Sequence, residues 1–227
     1  MSTPRVLLTT ELSDQNIDLL SSPCFQLDIT PFIQIDFRPV SEWKNSIPEN
    51  VDAWIFTSKN AVLSIQSLLP ELTAPEHCFT VGPKTAELLR PHGIQATYPD
   101  VYNAEALSKL ILQEDVKSVV HFRGNLSAST LTEDLSKAGI TVKSIEVYST
   151  LKKYTEAGVP NYDSMIFMSP SAIEAFSSAN EIPDEIPVFC IGPTTANAAT
   201  EYGFQNIIMP EQATIESLSK TLTQYYS

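Results

Sequence analysis

Short unbroken apolar runs alternate along this chain with stretches whose apolar residues recur at helical spacing. Residues 6–8, 54–56, 79–81, 119–122, 165–168, 188–191 and 207–209 form the runs. Each is brief and continuous rather than alternating. That pattern suits strands covered on both faces, as in a parallel sheet. Between them, residues 61–69, 84–90, 104–112, 126–137, 172–178 and 194–201 carry apolar positions on one helical face. Strands alternating with helices predict an α/β fold.

The pattern also repeats. Asp52-Ala-Trp-Ile-Phe-Thr-Ser-Lys-Asn-Ala-Val62 resembles Asp163-Ser-Met-Ile-Phe-Met-Ser-Pro-Ser-Ala-Ile173, and Phe79-Thr-Val-Gly-Pro-Lys-Thr-Ala86 resembles Phe189-Cys-Ile-Gly-Pro-Thr-Thr-Ala196. Glu105-Ala-Leu-Ser-Lys109 likewise resembles Glu216-Ser-Leu-Ser-Lys220, and the three offsets are 111, 110 and 111 residues. Two copies are too few, and the period too long, for a solenoid. They predict two similar domains. Ahead of these blocks, residues 6–10 should correspond to 119–123, and residues 27–35 to 142–151, as the first and second strands of each copy. The repeat leaves open whether each copy folds on itself or exchanges halves with the other.

Length agrees, since 227 residues accommodate one large domain or two of about 100. A formal net charge of −13 excludes most nucleic-acid binding, which needs clustered Lys and Arg. It also argues against an electrostatic funnel for a polyanion. Cys24, Cys78 and Cys190 are far apart and form no CxxC pair, so free buried thiols of a reducing compartment are expected. His77, His92 and His121 are equally dispersed, and no metal-ligand spacing occurs. With no signal-like N-terminus and no 18-residue apolar run, a cytoplasmic protein without membrane contact is expected. Glycine is scarce, at 7 residues, so each should mark a special turn.

The candidate chemistry lies where strands give way to helices. Ser58-Lys59-Asn60, Gly82-Pro83, Arg123-Gly124-Asn125, Ser169-Pro170-Ser171 and Gly192-Pro193 each follow an apolar run. Ser or Gly before Pro is helix-capping chemistry. In open parallel sheets, however, ligands sit beyond the carboxyl ends of the strands, where helix-start N–H groups can receive anions. Either reading fits these turns. No GxGxxG, GxxxxGK[ST] or GxSxG is present, which argues against dinucleotide, nucleoside triphosphate and α/β-hydrolase chemistry. A cofactor-free enzyme or a binding module remains.

The runs Ile-Phe-Thr-Ser-Lys-Asn-Ala-Val, His-Phe-Arg-Gly-Asn, Glu-Val-Tyr-Ser-Thr and Phe-Met-Ser-Pro-Ser-Ala, with the paired Gly-Pro-x-Thr-Ala turns, resemble the uroporphyrinogen-III synthase family. The likeness extends over nearly the whole chain and rests on the order and spacing of these runs. Where the family often has Arg-Pro after the first strand, this chain has Thr9-Thr10-Glu11. The resemblance implies two flavodoxin-like parallel-sheet domains joined by a two-stranded linker. One would be discontinuous, residues 1–34 plus 151–227; the other continuous, residues 37–148; the connectors would lie near 32–37 and 147–152. It implies a monomeric, cofactor-independent, metal-free lyase that cyclises the linear tetrapyrrole hydroxymethylbilane in a cleft between the domains, with transient contact to the preceding pathway enzyme. Tyr148 becomes the candidate proton donor, the alternative being a tyrosine packed against the hinge. Ser58, Asn60, Gly82, Arg123, Gly124, Asn125, Ser169, Ser171, Gly192, Thr194 and Thr195 become candidate substrate-binding residues. Arg123 has two readings, a substrate carboxylate or an acidic surface neighbour, and Lys59 and Lys84 are expected in solvent. The competing class is a non-catalytic two-domain binding or regulatory protein.

Overall fold

The computed structural model describes residues 3–158, 161–183 and 185–227. Along these the strands are β1 (Arg5–Leu8), β2 (Gln26–Ile29), β3 (Ile33–Phe37), β4 (Ala53–Phe56), β5 (His77–Thr80), β6 (Ser118–Gly124), β7 (Thr141–Lys152), β8 (Ser164–Phe167), β9 (Val188–Cys190) and β10 (Ile207–Ile208). The helices are α1 (Asp14–Leu20), α2 (Val40–Trp43), α3 (Lys59–Ile65), α4 (Pro83–Leu89), α5 (Ala104–Ile111), α6 (Thr130–Lys137), α7 (Pro170–Ser177), α8 (Pro193–Glu201) and α9 (Ile215–Tyr226).

The two aspartates that open the repeated blocks do the same job. The Asp52 carboxylate accepts N–H bonds from Lys117 (2.9 Å) and Ser118 (2.8 Å), pegging the start of β4 to the start of β6. These bonds hold its pKa below the usual carboxylate value. Asp163 accepts the Arg5 N–H at 2.8 Å, pegging β8 to β1. From these pegs run two five-stranded sheets, in the orders β10-β9-β8-β1-β2 and β3-β7-β6-β4-β5. The pairings recorded in the first sheet are parallel, as are those linking β7, β6, β4 and β5 in the second. β3 runs against β7: Arg38 N–H bonds the Val147 carbonyl, while Lys153 N–H bonds the Phe32 carbonyl.

The repeat equates β4 with β8 and β5 with β9. Yet β8 and β9 lie beside β1 and β2, whereas β4 and β5 lie beside β6 and β7. Each sheet therefore takes half of each copy. The chain divides into one compact unit of Met1–Gln34 with Leu151–Ser227 and another of Ile35–Thr150, and it passes from one to the other within β3 and within β7.

The continuous apolar runs follow from cover on both faces. Every residue of β4 and β8 is buried. Successive side chains alternate between faces, so Trp54 and Phe56 join Val120 and Phe122 in one cluster, while Ala53 and Ile55 join Phe79 and Val119 in another. Met165 and Phe167 separate in the same way from Ile166.

Three expectations need correction. Residues 27–35 are not one strand like 142–151 but parts of β2 and β3. Pro31 lies between them and has no N–H to give a ladder. The helix expected over residues 126–137 begins only at Thr130. The Arg123 side chain holds the preceding loop by donating to the carbonyls of Gly124 and Ser127. Finally, the scarce glycines are not all there for left-handed backbone. Gly93, Gly139, Gly158 and Gly203 have positive φ, but Gly82 (φ −169°) and Gly192 (φ −172°) are extended. Any residue could adopt that conformation.

Candidate functional site

In a parallel sheet all strands end at one edge, so residues far apart in sequence gather there. In the continuous unit this edge carries Ser58 and Asn60 after β4, Gly82 after β5, Arg123, Gly124 and Asn125 at the end of β6, and Tyr148 in β7. In the other unit the matching edge carries Ser169 and Ser171 after β8, and Gly192, Thr194 and Thr195 after β9.

The first turns of the four helices are built alike. Ser58 Oγ accepts the Asn60 N–H at 3.1 Å, and Ser169 Oγ accepts the Ala172 N–H at 3.3 Å. At all four the carbonyl before the helix also receives first-turn amides, Ala61 on Ser58, Ile173 on Ser169, Thr85 and Ala86 on Gly82, and Thr195 and Ala196 on Gly192, and at the two glycines no side chain adds a cap. Pro83, Pro170 and Pro193 have no N–H. Much of each helix start is thus already satisfied internally. The amides of Lys59, Lys84, Ser171 and Thr194 are the first-turn donors with no bond recorded among the described residues. Ser169 and Ser171 hydroxyls lie 3.1 Å apart. Thr195, by contrast, is only 3% exposed and faces the interior, as does its counterpart Thr85 at 8%. Lys59 and Lys84 are both exposed, as expected.

Tyr148 owes its place to an irregularity. β6 and β7 stay in register up to Arg123 opposite Glu146, and then Gly124 lies opposite Tyr148. Val147 is the extra residue of a bulge. Val147 and Tyr148 are consequently both buried and both belong to the cluster containing Trp54 and Phe122. The Tyr148 ring lies directly over Gly124: a Cβ on that glycine would sit 2.4 Å from the ring carbon Cζ. The Tyr148 hydroxyl bonds no other described residue, and it is not among the sealed unpartnered polar atoms. The small exposed part of this 8%-exposed residue therefore includes the oxygen.

One polar pair at this edge was not singled out from the sequence. Thr57, which follows β4, has its hydroxyl 3.1 Å from His121 Nε2. His121 is 1% exposed, and its Nδ1 has no partner among the described residues. Burial, and then the charge of Arg123, push its pKa down to about 4. The only hint in the sequence is a histidine inside the apolar run of β6, which hydropathy alone treats as an interruption. The largest cavity described, about 880 Å³, is elsewhere: it opens at the opposite edge, near Asp52, Glu71 and Ser118, where the strands begin. Among the described residues, no group of three His, Cys, Asp or Glu could hold a metal ion, and no helix is long and apolar enough to cross a membrane.

A model of the family described as uroporphyrinogen-III synthase HemD matches residues 17–220. The chain belongs to that family. Uroporphyrinogen-III synthase from Chlorobaculum parvum is 27% identical over 224 residues, covering 88% of this chain and 90% of that protein. Among solved structures, a mutant uroporphyrinogen III synthase from Thermus thermophilus superposes with a TM-score of 0.76 at 17% identity, over 97% of this chain and 98% of the other. Uroporphyrinogen-III synthetase from Helicobacter pylori 26695 gives 0.68 at 20% identity, over 98% and 99%. These two likenesses bear on the fold, which is the α/β arrangement of parallel sheets described above.

Proposed function

We infer that this protein, as a uroporphyrinogen-III synthase, closes the linear tetrapyrrole hydroxymethylbilane to uroporphyrinogen III with inversion of the terminal pyrrole and release of water. The observation that carries this is the family match over most of the chain. It is joined by a strand-end edge lined with hydroxyls and amides rather than with nucleotide- or metal-binding groups. The direct test supplies hydroxymethylbilane and identifies the ring isomer formed. Uroporphyrinogen III is expected; isomer I alone, the product of unaided closure, would refute it and favour a binding protein without catalysis.

The chemistry assigns the residues their parts. The substrate loses its hydroxyl unaided and closes to the wrong isomer, so the enzyme must chiefly select a conformation. Holding reacting groups in place contributes up to about 7–11 kcal/mol. Tyr148 protonates the leaving hydroxyl, giving an azafulvene cation. Water leaves, and the substituted carbon of the terminal ring attacks the cation. The spiro intermediate breaks that carbon's bond to its original methylene bridge. The freed methylene recloses on the unsubstituted α-carbon, whose proton is lost and restores the tyrosine. The exposed oxygen and unshared hydroxyl of Tyr148 support this role. Substrate carboxylates meet short-range donors: the amides of Lys59, Lys84, Ser171 and Thr194 and the nearby hydroxyls of Ser58, Ser169 and Ser171, beside Asn60, Gly82 and Gly192. A net charge of −13 favours such local donors over long-range attraction. We place the enzyme in the cytoplasm as a monomer that meets the preceding pathway enzyme transiently. The free thiols Cys24, Cys78 and Cys190 suit a reducing compartment.

A further inference from the structure

The run Arg123-Gly124-Asn125 surrounds Tyr148 with contacts that leave its hydroxyl alone and fix everything else. Gly124 has extended pairing in β6 and no positive φ, so backbone conformation does not demand a glycine there. Space does. A methyl group at Gly124 would meet the Tyr148 ring at Cζ (2.4 Å), Cε2 (2.6 Å) and the hydroxyl oxygen (2.8 Å). Asn125 then extends the β6–β7 ladder past the bulge. Its N–H donates to the Tyr148 carbonyl at 3.3 Å, and its side chain accepts the Thr150 N–H at 2.8 Å and donates to the Thr150 carbonyl at 3.5 Å. A side-chain amide here imitates one more rung of backbone. Arg123 completes the arrangement by tying the carbonyls of Gly124 and Ser127, which stops the loop from peeling away.

We propose that Gly124 and Asn125 are positioning residues that act through Tyr148: Gly124 gives the ring its seat, and Asn125 locks the strand immediately after it. This rests on Tyr148 as the proton donor. The size of the effect follows from the geometry. Restoring ordinary contact from 2.4 Å would displace the ring by about 1 Å. A displacement of that size at a reacting group costs up to about 10²-fold in rate.

The test is a set of double-mutant cycles read as kcat and KM for hydroxymethylbilane, per mole of folded enzyme. Gly124→Ala and Asn125→Ala should each lower kcat by about 10- to 100-fold with little change in KM. In a Tyr148→Ala background, where the ring is gone, Gly124→Ala should be silent. In a Tyr148→Phe background Asn125→Ala should be silent. Parental kcat in Gly124→Ala, or equal losses with and without the tyrosine, overturns the proposal, because a purely structural role would be indifferent to the hydroxyl. If Gly124→Ala does not fold, the Asn125 cycle decides alone. Tyr148→Phe at parental kcat would instead remove the proton-donor reading and this inference with it. Parental kcat in both positioning variants beside an impaired Tyr148→Phe would remove this inference only.

Discussion

His121 Nε2 and Thr57 Oγ1 are 3.1 Å apart at the strand-end edge, and the imidazole behind that contact is sealed from solvent. A histidine whose folded pKa is about 4 binds no proton where the unfolded chain, near 6.5, already does. Its contribution to stability is therefore complete above pH 6.5 and is lost as pH falls toward 4. The shift corresponds to about 3–4 kcal/mol at roughly 1.4 kcal/mol per pH unit. Urea unfolding of the parent and of His121→Phe at pH 7, 5 and 4 should show the parent losing more stability across that window. Parallel decline in the two proteins would show that His121 does not govern it.

Tyr148→Phe should fold normally, because the hydroxyl has no partner to lose among the described residues. Turnover should fall by about 10²-fold or more if the group delivers a proton. Thermal unfolding and the isomer ratio measured on the same preparation separate the two effects.

Ser169→Ala and Ser58→Ala should each cost about 0.5–2 kcal/mol of stability, since each removes a hydroxyl that caps a helix. Gly82→Ala should cost less. Its extended backbone tolerates a side chain, and the three atoms nearest the added carbon, from 3.2 Å, all belong to Tyr102, a residue 59% exposed. Denaturant midpoints for the three variants rank these effects directly. A Gly82→Ala loss exceeding both serine losses would show that the turn requires glycine despite its extended backbone.

The three thiols should react unequally. Burial pushes Cys78 and Cys190 up to about 12, while Cys24 is only half-buried. A thiol reagent at pH 8 should modify Cys24 first and reach the other two only on unfolding, as mass spectrometry of timed samples would show.

The strands were legible because burial on both faces leaves no polar residue to break the run: residues 54–56 and 165–168 mark β4 and β8 almost to the residue. The helix starts at Pro83, Pro170 and Pro193 were legible from capping chemistry, which is local. Helix α9 contributes Leu218 and Leu222 to the core but was recognised only as a repeated block. Helices α1 and α2 are short, bury one residue each and left no period to detect. Within the site, Ser58 and Ser169 announced themselves as caps. The seating of Tyr148 on Gly124 did not, because it depends on the bulge at Val147, and one extra residue in a ladder leaves no mark on hydropathy. The interior position of Thr195 was missed for a related reason: a Gly-Pro-x-Thr turn shows where a helix begins, not which way its third residue points.

The exchange of half-copies between sheets also sets a timetable. The neighbour of strand β1, β8, lies more than 150 residues downstream of it, and α9, which packs on Val6 and Leu8, follows later still. The unit of Ile35–Thr150 holds all its own strands from β4 to β6 and can close while the chain is still emerging from the ribosome. Strand β1 must wait, its apolar face uncovered, until α9 is released. A chain interrupted before Ile215 would thus present one finished sheet and one with a bare face, which makes α9 the checkpoint for its unit.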